Sequence, residues 1–279
     1  MEERDRRHAA AGHKVRVAGE TLLEVEGLVQ QFGGLRALDN ISFSVHRGEI
    51  FSIIGPNGGG KTTLFNCITG VQRPKRGQVL FDGRPVVGLR PHVIVSRGIG
   101  RTFQGIRLFK NMAVFENVMV GLYPRHRTMT WQAMLHTPGE RKDELRTLQE
   151  SRRWLSFVGL ESVAGRLASE LSYADQRRVE IARALAAHPH LVLFDEPAAG
   201  MNPAETHEVT ELIARLRDER GVAICVIEHD MHVVAGCSDR VVALDHGVKI
   251  AEGGFDQVAN DPAVVEAYMG RDPEALAES

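Results

Sequence analysis

Residues 55–62, Gly55-Pro56-Asn57-Gly58-Gly59-Gly60-Lys61-Thr62, fit the pattern G-x-x-x-x-G-K-[ST] in full. Glycines let successive backbone N–H groups turn inward around one point, and a helix that follows adds the positive end of its dipole there. That is the chemistry of cradling a triphosphate. Lys61 would reach its β- and γ-phosphates and the Thr62 hydroxyl would ligate Mg²⁺, with Thr63 next to them in the same turn. Far along the chain, the apolar run Leu191-Val192-Leu193-Phe194 ends in Asp195-Glu196. Two carboxylates at the end of a buried strand are poor structural choices, and strand ends of open parallel sheets are where ligands bind. Asp195 would hold Mg²⁺ through water, and Glu196 would polarise an attacking water as general base, a role worth about 10²–10⁴ in rate. Two further side chains stand near expected strand ends. The Gln104 amide could ligate Mg²⁺ or hold the attacking water, although a lone Gln is ordinarily a surface residue. The His229 imidazole could contact the γ-phosphate. A lone His is more often incidental, but its place after Val222–Ile227 speaks for the site.

These groups need elements to position them. Phe51–Ile54 reads as the end of a buried strand, and Thr63–Ile68 as an amphipathic helix, so the glycine loop has the strand–loop–helix context that gives the pattern meaning. Before it, Thr21–Val29 and the alternating Ile41–Val45 predict short antiparallel strands around a glycine turn at 33–34. Phe32 beside that turn is a candidate to stack on a base, with plain core packing equally open. Val79–Phe81 with Asp82-Gly83 predicts a hairpin, residues 91–98 a short helix, and Gly100–Gln104 a strand ending near Gln104. Residues 111–170 change character. Met112, Val114, Phe115, Val118, Met119 and Leu122 share a helical period, 124–143 reads as a variable loop with one short helix near Trp131, and Leu145, Leu148, Leu155 and Val158 mark a helix that Gly159 ends. Ser172 and Asp175 have capping-box spacing at the start of another helix with Val179, Ala182 and Ala186 as its buried stripe. Leu191–Phe194 and Val222–Ile227 predict parallel strands covered on both faces. An amphipathic helix over Glu205–Glu219, a hairpin over 241–250 and a helix over about 261–269 complete the chain.

Composition narrows the class. The chain has 279 residues, enough for one large domain or two smaller ones, and its net charge of −2 makes no electrostatic case for a nucleic-acid partner. Cys67, Cys225 and Cys237 are too widely spaced to suggest a zinc site or a disulfide framework, so a reducing compartment fits. No apolar run approaches the ~18–20 residues of a membrane span. Residues 1–20 mix both charges without an apolar core, so they read as a disordered extension rather than a signal peptide.

In this order and at these spacings, the phosphate loop, Gln104, Leu171-Ser172, Asp195-Glu196 and His229 resemble the ATPase subunits of ABC transporters, over roughly residues 22–270. The resemblance implies an α/β P-loop NTPase fold with a mostly parallel central sheet, an N-terminal antiparallel β layer and an α-helical insertion. The ATPase domain would span 21–270, with its helical subdomain at about 111–185 and a tail at 271–279. ATP and Mg²⁺ would bind at Gly55 to Thr63, with Phe32 as the adenine-stacking aromatic. Gln104 matches the family's Q-loop, Ser172 its signature, Ala199 to Asn202 its D-loop and His229 its switch histidine. The family also implies a head-to-tail pair of ATPase subunits, alike or different, in which Ser172 of one completes the γ-phosphate site of the other. Two membrane permease subunits would couple to the Q-loop and the helical insertion, at the cytoplasmic face of the membrane.

Finer detail resembles one branch. Arg101-Thr102-Phe103-Gln104, the run Gln176 to Leu185, Asp195 to Pro203, Ile227 to Met231 and the tail Glu266-Ala267-Tyr268-Met269-Gly270 are similar to the ATPases of branched-chain amino-acid importers, the longer of the two they usually carry. A periplasmic or extracellular substrate-binding protein would then be a further partner. The lipopolysaccharide-export type, urea or amide import and a non-transport ABC ATPase are the other readings. Three residues depart from the resembled pattern. Gly59 stands where Ala or Ser is usual, Ala174 replaces a glycine, and Asp175 replaces a glutamine. Ala174 is tolerable if its φ is helical, and Asp175 brings negative charge toward the partner's γ-phosphate.

Overall fold

The computed structural model describes residues 19–122 and 138–269. Of the loop expected over 124–143, residues 124–137 with the short helix near Trp131 lie outside them, as do most of the N-terminal extension and the 271–279 tail, whereas 138–143 are helical rather than loop.

Two sheets share one core. The first is antiparallel, in the order β2–β1–β4–β5, built from β1 (Thr21–Phe32), β2 (Leu35–His46), β4 (Arg76–Phe81) and β5 (Arg84–Pro85). The second runs β10–β9–β3–β8–β7–β6, from β3 (Ile50–Ile54), β6 (Ile99–Arg101), β7 (Leu191–Asp195), β8 (Ala223–Ile227), β9 (Arg240–Asp245) and β10 (Val248–Gly253). Every pairing in it is parallel except β9 with β10. All five residues of β3, of β7 and of β8 are buried. Their mostly apolar sequences, broken by Ser52 in β3 and by Asp195 at the end of β7, follow from having both faces covered. Alternate residues of one strand therefore serve two cores. Val192 and Phe194 of β7 pack with the helical side, while Leu191 and Leu193 pack with the antiparallel sheet and the helix after the phosphate loop. Phe43 of β2 stacks on Phe51 of β3 with ring centroids 5.1 Å apart, joining the two sheets.

The helices are α1 (Lys61–Ile68), α2 (Pro91–Ser96), α3 (Val114–Leu122), α4 (Pro138–Phe157), α5 (Tyr173–Ala186), α6 (Pro203–Arg220), α7 (Met231–Cys237), α8 (Phe255–Ala259) and α9 (Pro262–Met269). The segment expected to be a helical insertion supplies α3, α4 and α5, which pack on one another through Val118, Leu122, Leu155 and Val179. Leu145, expected to mark a helix, lies on α4. It is 59% exposed, whereas Thr147, Ser151, Trp154, Leu155 and Phe157 of the same helix are buried. Gln104 also lies past its strand, which ends at Arg101. Among the described residues, no helix is long and apolar enough to cross a membrane.

Candidate active site

β3 delivers the chain into the glycine loop, and α1 leaves it. Gly60 is the N-cap of α1, with φ +94° and no side chain to satisfy the first N–H groups of the helix. Those donors are what an anion would meet. A Cβ on Gly60 would stand 2.4 Å from Ala37 O, so the position is closed to other residues by space as well as by φ. Gly59, the departure noted above, has a local reason. A Cβ there would sit 2.9 Å from Leu244 O and 3.1 Å from Pro56 O, so this loop packs against β9 too closely for a side chain. Lys61 is buried, and its Nζ donates to Gly55 O at 2.6 Å and Pro56 O at 2.9 Å. Burial lowers its pKa, against the opposing pull of the Glu196 and Asp195 carboxylates.

Asn57 to Thr63 line a cleft of about 460 Å³ together with Phe32, Gln104, Glu196 and His246. The structure thus brings Phe32 to the cleft, 46% exposed at the tip of the β1–β2 hairpin rather than in the core. Across the cleft, Gln104 Nε2 donates to Glu196 Oε2 at 2.9 Å, leaving its amide oxygen as an acceptor for a metal or a water. Glu196 holds a left-handed backbone, φ +50°, which a non-glycine residue adopts at a cost of about 1–3 kcal/mol. Its N–H donates to Ile227 O at 2.9 Å. His229 Nδ1 lies 4.0 Å from Glu196 Oε1, with its side chain 57% exposed.

Asp195 is buried beside Arg101, whose Nη2 donates to Asp195 Oδ2 at 3.0 Å. Burial pushes the Asp195 carboxyl up, and Arg101 pulls it down. Asp195 Oδ1 is buried without a hydrogen-bond partner. A buried orphan acceptor calls for an explanation, and a metal-bound water would supply the missing donor. With the Thr62 hydroxyl and the Gln104 amide oxygen, the donor set is hard oxygen with a single carboxylate. That suits Mg²⁺ brought in on phosphates.

Ser172 stands apart from the cleft. It is the exposed N-cap of α5, its Oγ accepting from Asp175 N at 3.1 Å; the reciprocal half of a capping box is not among its bonds. Ala174 lies within α5 outside the positive-φ residues, so its replacement of glycine is unstrained. Several contacts at the site have no counterpart in the sequence reading. Arg177 of α5 is fully buried, pairs with Glu180, and donates to Phe103 O and Gln104 O, each at 2.7 Å. It fastens the segment carrying Gln104 to the helix that Ser172 caps. Glu228 is buried and accepts from Ala198 N at 3.0 Å and His229 N at 3.1 Å. The Gly55 N–H donates to the Tyr268 hydroxyl of α9 at 2.7 Å. The local signals, a charge in an apolar helix stripe and a carboxylate at a strand end, mark Arg177 and Glu228 as unusual without naming their partners.

Comparison with known proteins agrees with this geometry. Residues 38–199 match the family described as ABC transporter, and residues 248–274 match one described as branched-chain amino acid ATP-binding cassette transporter. The chain is 44% identical over 251 residues to the high-affinity branched-chain amino acid transport ATP-binding protein LivG of Escherichia coli, covering 90% of this chain and 98% of that protein. With BraF of Pseudomonas aeruginosa, of the same description, identity is 42% over 249 residues, covering 89% and 98%. Among solved structures, a nucleotide-free ATP-binding cassette from an ABC transporter superposes with a TM-score of 0.79 at 33% identity, covering 90% of this chain and all of the other. An ABC-transporter cassette in its ADP conformation gives 0.78 at 33%, covering 90% and 99%. Phosphate loop, acidic strand end and family match converge, and the chain belongs to the ABC transporter family as one of its ATP-hydrolysing subunits.

Proposed function

We propose that this chain powers the uptake of branched-chain amino acids, as the ATPase subunit of an ABC importer. The observation that carries the substrate class is the near full-length identity to LivG and BraF, together with the match of residues 248–274 to the branched-chain amino acid cassette. Two permease subunits, a second ATPase subunit arranged head to tail and a periplasmic or extracellular substrate-binding protein complete the assembly. Docking on the permeases holds the chain at the cytoplasmic face of the membrane as a peripheral subunit. The helical segment at about 111–185 and the Gln104 loop form the coupling surface.

In the mechanism, Phe32 stacks on the adenine, and the N–H groups from Gly55 to Thr63 surround the phosphates. Lys61 exchanges the loop carbonyls for β- and γ-phosphate oxygens. Thr62, Gln104 and Asp195 would hold a Mg²⁺, which would supply positive charge to offset that of the phosphates. Glu196 accepts a proton from the attacking water, whose oxygen bonds to the γ-phosphorus as the bond to the β-phosphate oxygen breaks. Gln104 orients Glu196, His229 meets the γ-phosphate, and Ser172 of a second copy, or the residue matching it in a different second subunit, closes the site.

The deciding experiment is uptake of labelled leucine, isoleucine and valine in the native host with and without this gene. Loss of uptake that the wild type restores and Glu196→Gln does not supports both the substrate class and the base. Unchanged uptake, in a strain stripped of other such importers, removes the substrate class and leaves the ATPase.

A further inference from the structure

Arg101 has no part in that mechanism, yet it is ion-paired with Asp195 at its acidic centre. It ends β6, beside β7, with a side chain only 6% exposed. Its guanidinium reaches two elements at once. Nη2 binds Asp195 Oδ2 at 3.0 Å, while Nη1 donates to Asn66 Oδ1 at 2.8 Å and to Thr69 Oγ1 at 2.9 Å, both on or next to α1. Thr69 Oγ1 donates onward to Phe65 O at 2.7 Å. The guanidinium is flanked by Phe65 and Phe103, 5.5 Å and 4.8 Å from its central carbon, which leave it little room to swing.

Two features set this apart from a buried ion pair that only adds stability. The carboxylate is used on one side alone, Oδ2 being taken and Oδ1 having no partner. And the same guanidinium is tethered to the helix whose first turn carries Thr62. A planar fork with its nitrogens in fixed directions can set an orientation; a point charge cannot. We infer that Arg101 is a positioning residue for the metal: it holds Asp195 by Oδ2, turns Oδ1 toward the water of a nucleotide-borne Mg²⁺, and fixes Asp195 relative to Thr62 through Asn66 and Thr69. The inference rests on the proposed reading of Asp195 as the metal-side carboxylate.

The test uses the full chain, a non-hydrolysable ATP analogue and Mn²⁺ followed by its electron paramagnetic resonance signal, with analogue binding also measured in EDTA. Arg101→Lys keeps the charge and loses the fork. Its Mn²⁺ affinity in the nucleotide complex is expected to fall about 10–100-fold, the usual loss for a residue that orients a metal ligand, while binding in EDTA stays at the wild-type level. Asn66→Ala, which cuts one tether without touching the carboxylate, shifts Mn²⁺ affinity in the same direction by less. It carries the test alone if Arg101→Lys does not fold. Unaltered Mn²⁺ affinity in these variants, or equal losses with Mn²⁺ and in EDTA, overturns the inference in favour of a merely structural pair. Asp195→Asn separates the two levels. If it too leaves Mn²⁺ affinity unaltered, the reading of Asp195 fails; if it alone weakens the metal, only the role of Arg101 fails.

Discussion

Glu196 is held at φ +50° between the Ile227 carbonyl and the Gln104 amide, so its carboxylate has little freedom at the cleft. Strain of this kind persists where the surroundings over-determine it, as they do here from β8 and the Gln104 segment. Glu196→Gln keeps the shape and removes the proton acceptor. Turnover is expected to fall about 10²–10⁴-fold with ATP binding retained, read by phosphate release alongside equilibrium nucleotide binding. A variant that still turns over at the wild-type rate would take the base assignment from Glu196. The cysteines make the opposite case, reactive groups kept silent. Burial pushes the Cys67 thiol up to about 11 and Cys237 up to about 12, from an ordinary 9.0, and Cys225 also rises. The thiolate is the reactive form, so a raised pKa delays reactivity to higher pH. At pH about 8, below even the unshifted value, native protein should resist iodoacetamide while guanidinium-unfolded protein is alkylated at all three sites, counted by mass spectrometry. Rapid labelling of native Cys67 would contradict its burial on α1.

At the scale of elements, what is legible in the sequence is what is local. The glycine loop is written between a strand and a helix with different periods, and Asp195-Glu196 closes an apolar run, so both are readable without knowing the fold. Arg101 with Asp195, Arg177 with the Gln104 carbonyl and Tyr268 with Gly55 are pairings across long stretches of chain, which no local pattern encodes. Leu145 shows the same limit, since period alone places it on a helix without giving its 59% exposure. The start of α6 shows a local signal that the sequence reading passed over. Asn202, taken only as part of a loop, accepts from Ala204 N and Glu205 N at 3.0 Å, while Glu205 Oε2 accepts from Asn202 N at 3.0 Å, with Pro203 in the first turn. That is a complete capping box, written as Asn-Pro-x-Glu. Asn202→Ala is expected to cost about 0.5–2 kcal/mol. The thermal midpoint should drop by roughly 2–4 °C for each kcal/mol lost, measured by calorimetry. An unchanged midpoint would mean the helix draws its start from packing of Val209 and Leu212 alone.

On the scale of the whole molecule, the site is divided. Phosphate loop, Gln104 and Glu196 share one cleft, whereas Ser172 lies outside it at the exposed start of α5, where the helix dipole and free N–H groups can receive an anion from elsewhere. Under the proposed head-to-tail pairing, a chain built this way would supply half of each active site, in keeping with a family whose ATPase subunits dimerise. Asp175 is the discordant residue, a carboxylate in the first turn of the helix that would face the partner's γ-phosphate. Its side chain is partly exposed, and its nearest cation is Arg178, 3.9 Å away and also bonded to Glu208. The pairing therefore leaves much of the negative charge uncompensated. For its own helix Asp175 is favourable, since an acid in the first turn complements the dipole; against an incoming phosphate it is repulsive. The second effect grows as the interface closes and water leaves. Asp175→Gln should tighten ATP-driven dimerisation by about two- to fivefold per site, the scale of a single partly exposed charge interaction. Light scattering in a Glu196→Gln background, where ATP persists, reads the dimer directly. The gain should shrink at high salt, which screens the same repulsion. Equal or weaker dimerisation of the variant would mean that Asp175 serves α5 alone and that the partner's phosphate does not approach it.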